Sequence, residues 1–133
     1  MAIRIVRLGT ARGKGEGVRL GTVRRPPRGV KKVDYAKRDY YDAWLPELAP
    51  SAELVKWLFA QPEITPAVWQ RFAKSYRREM KEPGRERLLD ALAKLSRDAD
   101  FAVGCYCEDY EHCHRSILKE ILDEHGARIA SNA

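Results

Sequence analysis

Residues 105–118, CYCEDYEHCHRSIL, concentrate the reactive side chains of this sequence. All three cysteines and two of the three histidines lie between Cys105 and His114. Thiols and imidazoles serve as zinc ligands, as nucleophiles with their bases, or as the lining of anion sites. The clustering predicts a functional site. The spacing of the cysteines and histidines, and the residues next to them, must distinguish the three kinds of site.

An anion site is the first hypothesis for this stretch. The apolar run at 100–107 predicts a strand, and residues 113–125 predict a helix that follows it. Open α/β sheets bind ligands at the carboxyl ends of strands, where helix starts offer free N–H groups. Arg115 and Ser116 are therefore predicted to contact a phosphate. The predicted catalytic residues are His114 as general acid/base, Glu108 or alternatively Asp109 as its partner, and Cys113.

A basic segment supports a phosphate-bearing partner. Residues 1–40 contain 12 Lys or Arg against 3 Asp or Glu, whereas residues 41–133 contain 13 against 16. Such an asymmetry is typical of proteins that meet phosphates. We predict a nucleotide or nucleic acid as the ligand. The predicted basic collar consists of Arg24, Arg28, Lys31 and Lys32.

Two other kinds of chemistry remain open for the same stretch. No cofactor is expected under the first hypothesis, but zinc is the alternative, although C-x-C without a second cysteine pair fits zinc ribbons poorly. Thiol chemistry at Cys113 is the other alternative, since a cysteine at a helix start beside cationic groups forms a thiolate readily. A tyrosine-phosphatase loop is excluded, because its arginine position is occupied by Lys119. The predicted zinc ligands are Cys105, Cys107, Cys113 and His112.

A non-enzymatic interaction module is a further alternative. The segment DYAKRDYYDAW, residues 34–44, interleaves aromatic and charged side chains. Exposed aromatic residues of this kind mark protein-binding surfaces. The hypothesis depends on whether these side chains are exposed in the folded chain.

Length and composition predict one soluble domain. A chain of 133 residues with 44% hydrophobic and 33% charged residues can bury an ordinary core. The sequence shows no signal-peptide run and no stretch of about 20 apolar residues that would span a membrane. An odd cysteine count without an export signal predicts a reducing compartment, the cytoplasm. The oligomeric state is left open.

Strands and loops are predicted near the amino terminus and before the reactive stretch. The apolar–basic alternation at 3–8 and the run at 18–23 predict strands, and 100–107 predicts a buried strand. Between them, the glycine-rich segment 9–17 predicts a mobile loop. The segment 24–33 predicts a basic loop, because its two prolines interrupt regular structure.

Helices are predicted for the remainder of the chain. Ser51 and Thr65 are typical helix caps, the latter with a proline at the first helical position. Leucines at helical spacing follow Pro83, and residues 113–125 form another amphipathic helix. Strands alternating with helices predict a single layered α/β domain over residues 1–133, with a small, mainly parallel sheet and helices packed on it.

Most of the chain resembles a known family. The segments RPPRGVKK, WLPELAPSAELVKWL and VWQRFAKSYRREM, together with the final strand and helix, resemble the YeaO-like family of small bacterial proteins of unknown function, also called domain of unknown function 488. The resemblance implies an α/β domain and no established activity. The cysteine–histidine–arginine motif at 113–115 is similar to that of the wider family, in which an acid often stands where this chain has Cys107.

Overall fold

Four parallel strands form one sheet in the computed structural model, which describes residues 1–130. The strands are β1 (Ile3–Arg7), β2 (Val18–Gly21), β3 (Ala43–Trp44) and β4 (Phe101–Cys105). The helices are α1 (Ala52–Phe59), α2 (Pro66–Glu79), α3 (Pro83–Leu95) and α4 (His114–Glu124). The strands lie in the order β1, β4, β2, β3 across the sheet, and each pair of neighbouring strands is parallel. The predicted single α/β fold with a small parallel sheet is confirmed.

Strand β4 lies in the interior of the sheet although it comes last in the chain. Its five residues are all buried, and Val103 pairs with Ile5 on one side and Leu20 on the other. A parallel strand covered on both faces needs a continuous apolar run, which FAVGC supplies. The carboxyl ends of β1, β2 and β4 consequently meet at Cys105.

The helices cover the sheet and enclose the main hydrophobic core. The predicted caps are confirmed, because Ser51 and Thr65 each accept a hydrogen bond at 3.2 Å from the backbone N–H three residues later. The buried Tyr76 hydroxyl donates to the Leu48 carbonyl at 2.7 Å, which satisfies the only polar atom of that side chain. No helix within residues 1–130 is long and apolar enough to cross a membrane.

The aromatic segment 34–44 packs against the body of the domain. Tyr41 is buried and meets the Tyr35 ring edge-on at 5.2 Å, while Tyr40 meets Tyr106 at 6.0 Å. The Trp44 indole N–H donates to the Val23 carbonyl at 2.7 Å. Trp44 nevertheless keeps 44% of its surface exposed. This packing removes most of the aromatic surface on which the interaction-module hypothesis depends.

The glycine-rich segment 9–17 is folded around a buried ion pair. The Arg19 side chain is 1% exposed, and its Nε donates to Glu16 Oε2 at 2.6 Å. Its other nitrogens donate to backbone carbonyls, among them Thr10 at 2.8 Å and Asp39 at 2.6 Å. Gly17 has φ +81°, and a Cβ there would lie 1.9 Å from a backbone oxygen, so only glycine fits this position.

This ion pair makes the stability of the domain depend on pH. Burial would raise the pKa of Glu16, but the hydrogen bonds from Arg19 and from the Gly13 N–H outweigh it and lower that pKa below 4.5. A carboxyl with a lowered pKa contributes stability above its unfolded value, and this contribution is lost as the pH falls through the folded value. We expect the free energy of unfolding, measured by urea titration, to decline below about pH 4.5.

The matched control for this pH dependence is the variant Glu16→Gln, which cannot ionise at this position. We expect a flatter acid limb for the variant than for the wild-type chain. Equal slopes for the two proteins below pH 4.5 would show that other carboxyls account for the acid sensitivity.

Candidate functional site

The reactive stretch lies where β4 ends and α4 begins. Cys105 is the last residue of β4, and Cys113 immediately precedes α4 with φ −119° and ψ 145°. This extended backbone at Cys113 is the conformation of a helix N-cap, and Ser116 Oγ returns a hydrogen bond to the Cys113 carbonyl at 2.9 Å. The predicted strand–loop–helix arrangement is confirmed.

The folded chain brings three potential ligand atoms together. The Sγ atoms of Cys105 and Cys113 and a ring nitrogen of His114 all lie within 4.8 Å of one another, and all three residues are buried. The Cys107 Sγ lies 3.7 Å from the Cys105 Sγ. Sulfur and imidazole atoms at such separations could share a zinc ion. The same separations would let the thiols exchange protons or electrons.

The His114 ring is held by the sheet. Its Nε2 lies 2.6 Å from the Thr22 carbonyl oxygen, so this nitrogen carries hydrogen and donates. Its Nδ1 lies 3.9 Å from the Cys113 Sγ. The ring of Tyr76 packs edge-on against the imidazole at 5.7 Å. His114 is thus fixed in orientation, with Nδ1 alone directed at a thiol.

Arg115 points into the protein, where it contacts the cysteines. Its side chain is buried, and its Nε donates to the Cys113 Sγ at 3.4 Å while one terminal nitrogen donates to the Cys107 carbonyl at 2.7 Å. Its guanidinium carbon lies 5.5 Å from the centre of the Tyr110 ring, within cation–π range. A buried cation beside a thiol stabilises the thiolate form.

Negative charge in the cluster is favoured on Cys113. The side chains of Cys105, Cys107 and His114 lower the pKa of Cys113 through their interactions with its sulfur, although the burial of Cys113 opposes this. The hydrogen bonds that Cys105 makes with Cys107 and Cys113, together with its burial, raise the pKa of Cys105. Cys105 therefore stays protonated, and its thiol donates to the Cys107 Sγ at 3.7 Å.

The cysteines open into a groove of about 870 Å³. Its apolar walls include Val55, Leu58, Phe59 and Phe72 from α1 and α2. The basic residues that line it are Arg7, Arg24, Arg25, Arg28 and Lys56. Cations around an apolar groove favour a ligand that has both an acidic group and an apolar part.

Comparison with known proteins identifies the family of this chain. A family model described as the active DUF488-N3 subclade, DUF488-N3a, matches residues 3–126, most of the sequence. The chain belongs to the DUF488 family. The predicted resemblance is thereby confirmed. No curated protein and no solved structure matches the chain.

In this DUF488 domain, part of the predicted basic collar faces the groove. Arg24 donates to the carbonyls of Pro50 and Ala49 at 3.0 and 3.2 Å, and Arg28 is exposed at the groove. Lys31 and Lys32 are exposed outside the set of groove-lining residues. Arg25, which the sequence analysis did not select, also lines the groove, and its position beside Arg24 was the available signal.

The remaining predicted residues of this DUF488 member lie at the rim. Glu108 is 84% exposed and pairs with Arg7 at 3.3 Å, away from the His114 imidazole. His112 Nδ1 lies 2.8 Å from Asp109 Oδ2, and its ring packs on Trp69 at 5.4 Å. His112 lines the groove without joining the close group of Cys105, Cys113 and His114.

Thr22 is a site residue that sequence reasoning missed. It contributes through its backbone carbonyl, which orients His114, and its hydroxyl donates to the Gly104 carbonyl at 3.0 Å. A backbone contact leaves no signature in residue type. The missed contact therefore had no signal in a single sequence.

Proposed function

We propose that this protein is a thiol-dependent enzyme in which Cys113 is the nucleophile and an anionic ligand binds in the adjoining groove. The observation that carries the proposal is the hydrogen bond from the buried Arg115 Nε to the Cys113 Sγ, at 3.4 Å. A buried guanidinium directed at sulfur has a clear chemical use, because the thiolate is the reactive form of cysteine. The description of the matching subclade as active agrees with an enzyme.

The surroundings of Cys113 meet the requirements of an activated nucleophile. The thiol stands at a helix start, receives a hydrogen bond from Arg115, and has the His114 Nδ1 at 3.9 Å. His114 is in turn oriented by the Thr22 carbonyl. A nucleophile, a nearby imidazole and a third group that orients the imidazole form the arrangement expected of covalent catalysis.

The groove supplies the reason to expect an anionic ligand. Arg25 and Arg28 are exposed along it, and guanidinium groups bind phosphate and carboxylate in a planar, bidentate geometry. Arg115 contributes to the thiol instead, since two of its nitrogens are occupied by protein atoms. A nucleotide or a nucleic-acid phosphate is the ligand that the basic amino-terminal segment favours.

Alkylation with two reagents of different charge tests both parts of the proposal. We expect iodoacetate and iodoacetamide to modify Cys113 of the folded, reduced protein faster than they modify free cysteine, with the site identified by peptide mapping. The ratio of the iodoacetate rate to the iodoacetamide rate should be about threefold to tenfold higher for Cys113 than for free cysteine, because two arginines lie along the groove. Added salt should reduce this preference.

The matched control compares two double variants that lose the same charge. Arg25→Ser with Arg28→Ser should remove the preference for iodoacetate, whereas Lys31→Ser with Lys32→Ser should retain it. Reaction of Cys113 only after unfolding would refute the nucleophile. Equal preferences in the two double variants would refute the local anion site.

A zinc site is the second candidate, favoured by the close approach of Cys105, Cys113 and His114 within 4.8 Å. Zinc on these atoms would be structural or would activate water. Metal content of protein purified without chelators or immobilised nickel distinguishes this candidate. About one zinc per chain, lost in Cys105→Ser, would support it; metal-free protein with a reactive Cys113 would support the nucleophile.

A further inference from the structure

We propose that the three cysteines form one redox unit, in which Cys113 reduces a hydroperoxide and the oxidising equivalent is passed to a Cys105–Cys107 disulfide. The inference rests on the proposed nucleophile at Cys113 and adds a substrate class to it. It explains why all three thiols of the chain lie in one cluster. A site with a single nucleophile would need only one of them.

The relative positions of the sulfurs make the transfer geometrically direct. Cys105 is close to both of the other thiols, since its Sγ is 3.7 Å from the Cys107 Sγ and within 4.8 Å of the Cys113 Sγ. Formation of a disulfide requires sulfurs at about 2.05 Å. Side-chain rotation and small backbone shifts therefore suffice for either bond.

Arg115 holds the two ends of the connecting loop together. One guanidinium nitrogen contacts the Cys113 sulfur and another contacts the Cys107 carbonyl at 2.7 Å. The chain between these cysteines is further braced by the Asp109–His112 contact at 2.8 Å. The loop thus keeps Cys107 beside the cluster while Cys113 reacts.

Exposure favours one disulfide as the product that a reductant reaches most readily. Cys113 is 2% exposed and Cys105 6%, so a disulfide between them would be buried. Cys107 is half-buried and lines the groove. Thiol–disulfide exchange requires access of the attacking thiol to a sulfur. All three cysteines line the groove, and a bond that includes the more exposed Cys107 is reduced more readily from it than a Cys105–Cys113 bond.

The chemistry takes place in three balanced steps. The Cys113 thiolate attacks a peroxide oxygen, the O–O bond breaks, and the alkoxide or hydroxide that leaves takes up a proton, which gives a sulfenic acid and an alcohol or water. The Cys105 thiol attacks this sulfur, and its proton leaves with the hydroxyl group as water. The Cys107 thiol then attacks the Cys105 sulfur and returns Cys113 to a thiol. An external dithiol supplies two electrons and two protons to restore the pair.

The first test is disulfide mapping of the wild-type chain. Reduced, metal-free protein is treated with one equivalent of hydrogen peroxide, and free thiols are blocked at once. A protease specific for acidic residues cleaves between Cys107 and Cys113 at Glu108 to Glu111. We expect the loss of two hydrogen atoms within the fragment that contains Cys105 and Cys107, and a free, blocked Cys113.

Two variants separate the steps. In Cys107→Ser, which changes a half-buried side chain and should fold, we expect the two fragments to be joined by a Cys105–Cys113 disulfide. In Cys105→Ser treated with at least two equivalents of hydrogen peroxide, we expect sulfinic acid to accumulate at Cys113, because the adjacent resolving thiol is missing and a second peroxide oxidises the sulfenic acid. Circular dichroism establishes that each variant is folded.

The proposal has defined ways to fail. Sulfenic acid that persists at Cys113 of the wild-type chain after one equivalent of peroxide, or sulfinic acid there after two, would overturn it, and so would oxidation of Cys107 in the variant Cys113→Ser at the wild-type rate. Either result together with rapid alkylation of Cys113 would leave the nucleophile intact and refute only the redox unit. A Cys113 that is not alkylated in the folded protein would refute both.

Discussion

The variant Arg115→Met is expected to lower the alkylation rate of Cys113 by about tenfold to a hundredfold. A hydrogen bond to a charged group is worth about 1.5–3 kcal/mol, and about 1.4 kcal/mol corresponds to a factor of ten. Arg115 donates such a bond to the Cys113 Sγ at 3.4 Å from a position where water is largely excluded. The measurement is the second-order rate constant with iodoacetamide on folded protein at neutral pH.

Loss of Arg115 also leaves the Cys107 carbonyl without the donor that now lies at 2.7 Å, so reduced stability must be separated from reduced reactivity. Arg77→Met is the matched control, because Arg77 pairs with Glu120 and Glu124 and does not line the groove into which the cysteines open. We expect the wild-type alkylation rate in this control. An Arg115→Met protein that is folded and alkylated as fast as wild type would contradict the proposed role of the guanidinium.

Arg115→Lys refines the same experiment. Lysine keeps the positive charge but offers no rigid planar fork that could contact Cys113 and the Cys107 carbonyl together. We expect its alkylation rate to lie between those of Arg115→Met and the wild type. A rate equal to wild type would indicate that charge alone activates the thiol.

The second large effect is expected at the buried ion pair, where Arg19→Met should reduce the free energy of unfolding by about 3–5 kcal/mol. The substitution leaves the Glu16 carboxylate buried without its cation and removes the donors to the carbonyls of Thr10 and Asp39. Urea unfolding followed by circular dichroism measures the change. The loss is comparable to the whole stability of a marginal domain.

An exposed pair provides the comparison for this effect. Arg77→Met breaks contacts to Glu120 and Glu124, whose side chains are 65% and 58% exposed, and should cost no more than about 1 kcal/mol. Similar losses of the free energy of unfolding in Arg19→Met and Arg77→Met would show that the buried Arg19–Glu16 pair stabilises the fold no more than an exposed pair does.

Local patterns in the sequence predicted much of the fold. The apolar run that ends at Cys105 predicted β4, because a parallel strand buried on both faces is a continuous apolar run without alternating polar residues. The caps at Ser51 and Thr65 predicted two helix starts, since capping depends on residues only three positions apart.

Contacts between distant segments could not be predicted in the same way. Strand β3 contains only Ala43 and Trp44 and is defined by its pairing with β2. Two residues are too few to show a periodic pattern, so the sequence did not predict this strand. The glycine-rich segment 9–17 was expected to be a mobile loop on composition. The contacts of Glu16 with Arg19, and of Arg19 with Asp39, exist only after the segments have been brought together by the sheet.

The sequence by itself determined where the cysteine–histidine cluster lies and which residue types form it, because Cys105 to Arg115 are neighbours in the chain and their strand–loop–helix setting is local. Only the tertiary structure decided the direction of each side chain. It turned Arg115 inward onto the Cys113 sulfur and tied His114 to the Thr22 carbonyl 92 positions away. Side-chain direction is set by packing between β2, β4 and α4, and a linear pattern does not contain that packing.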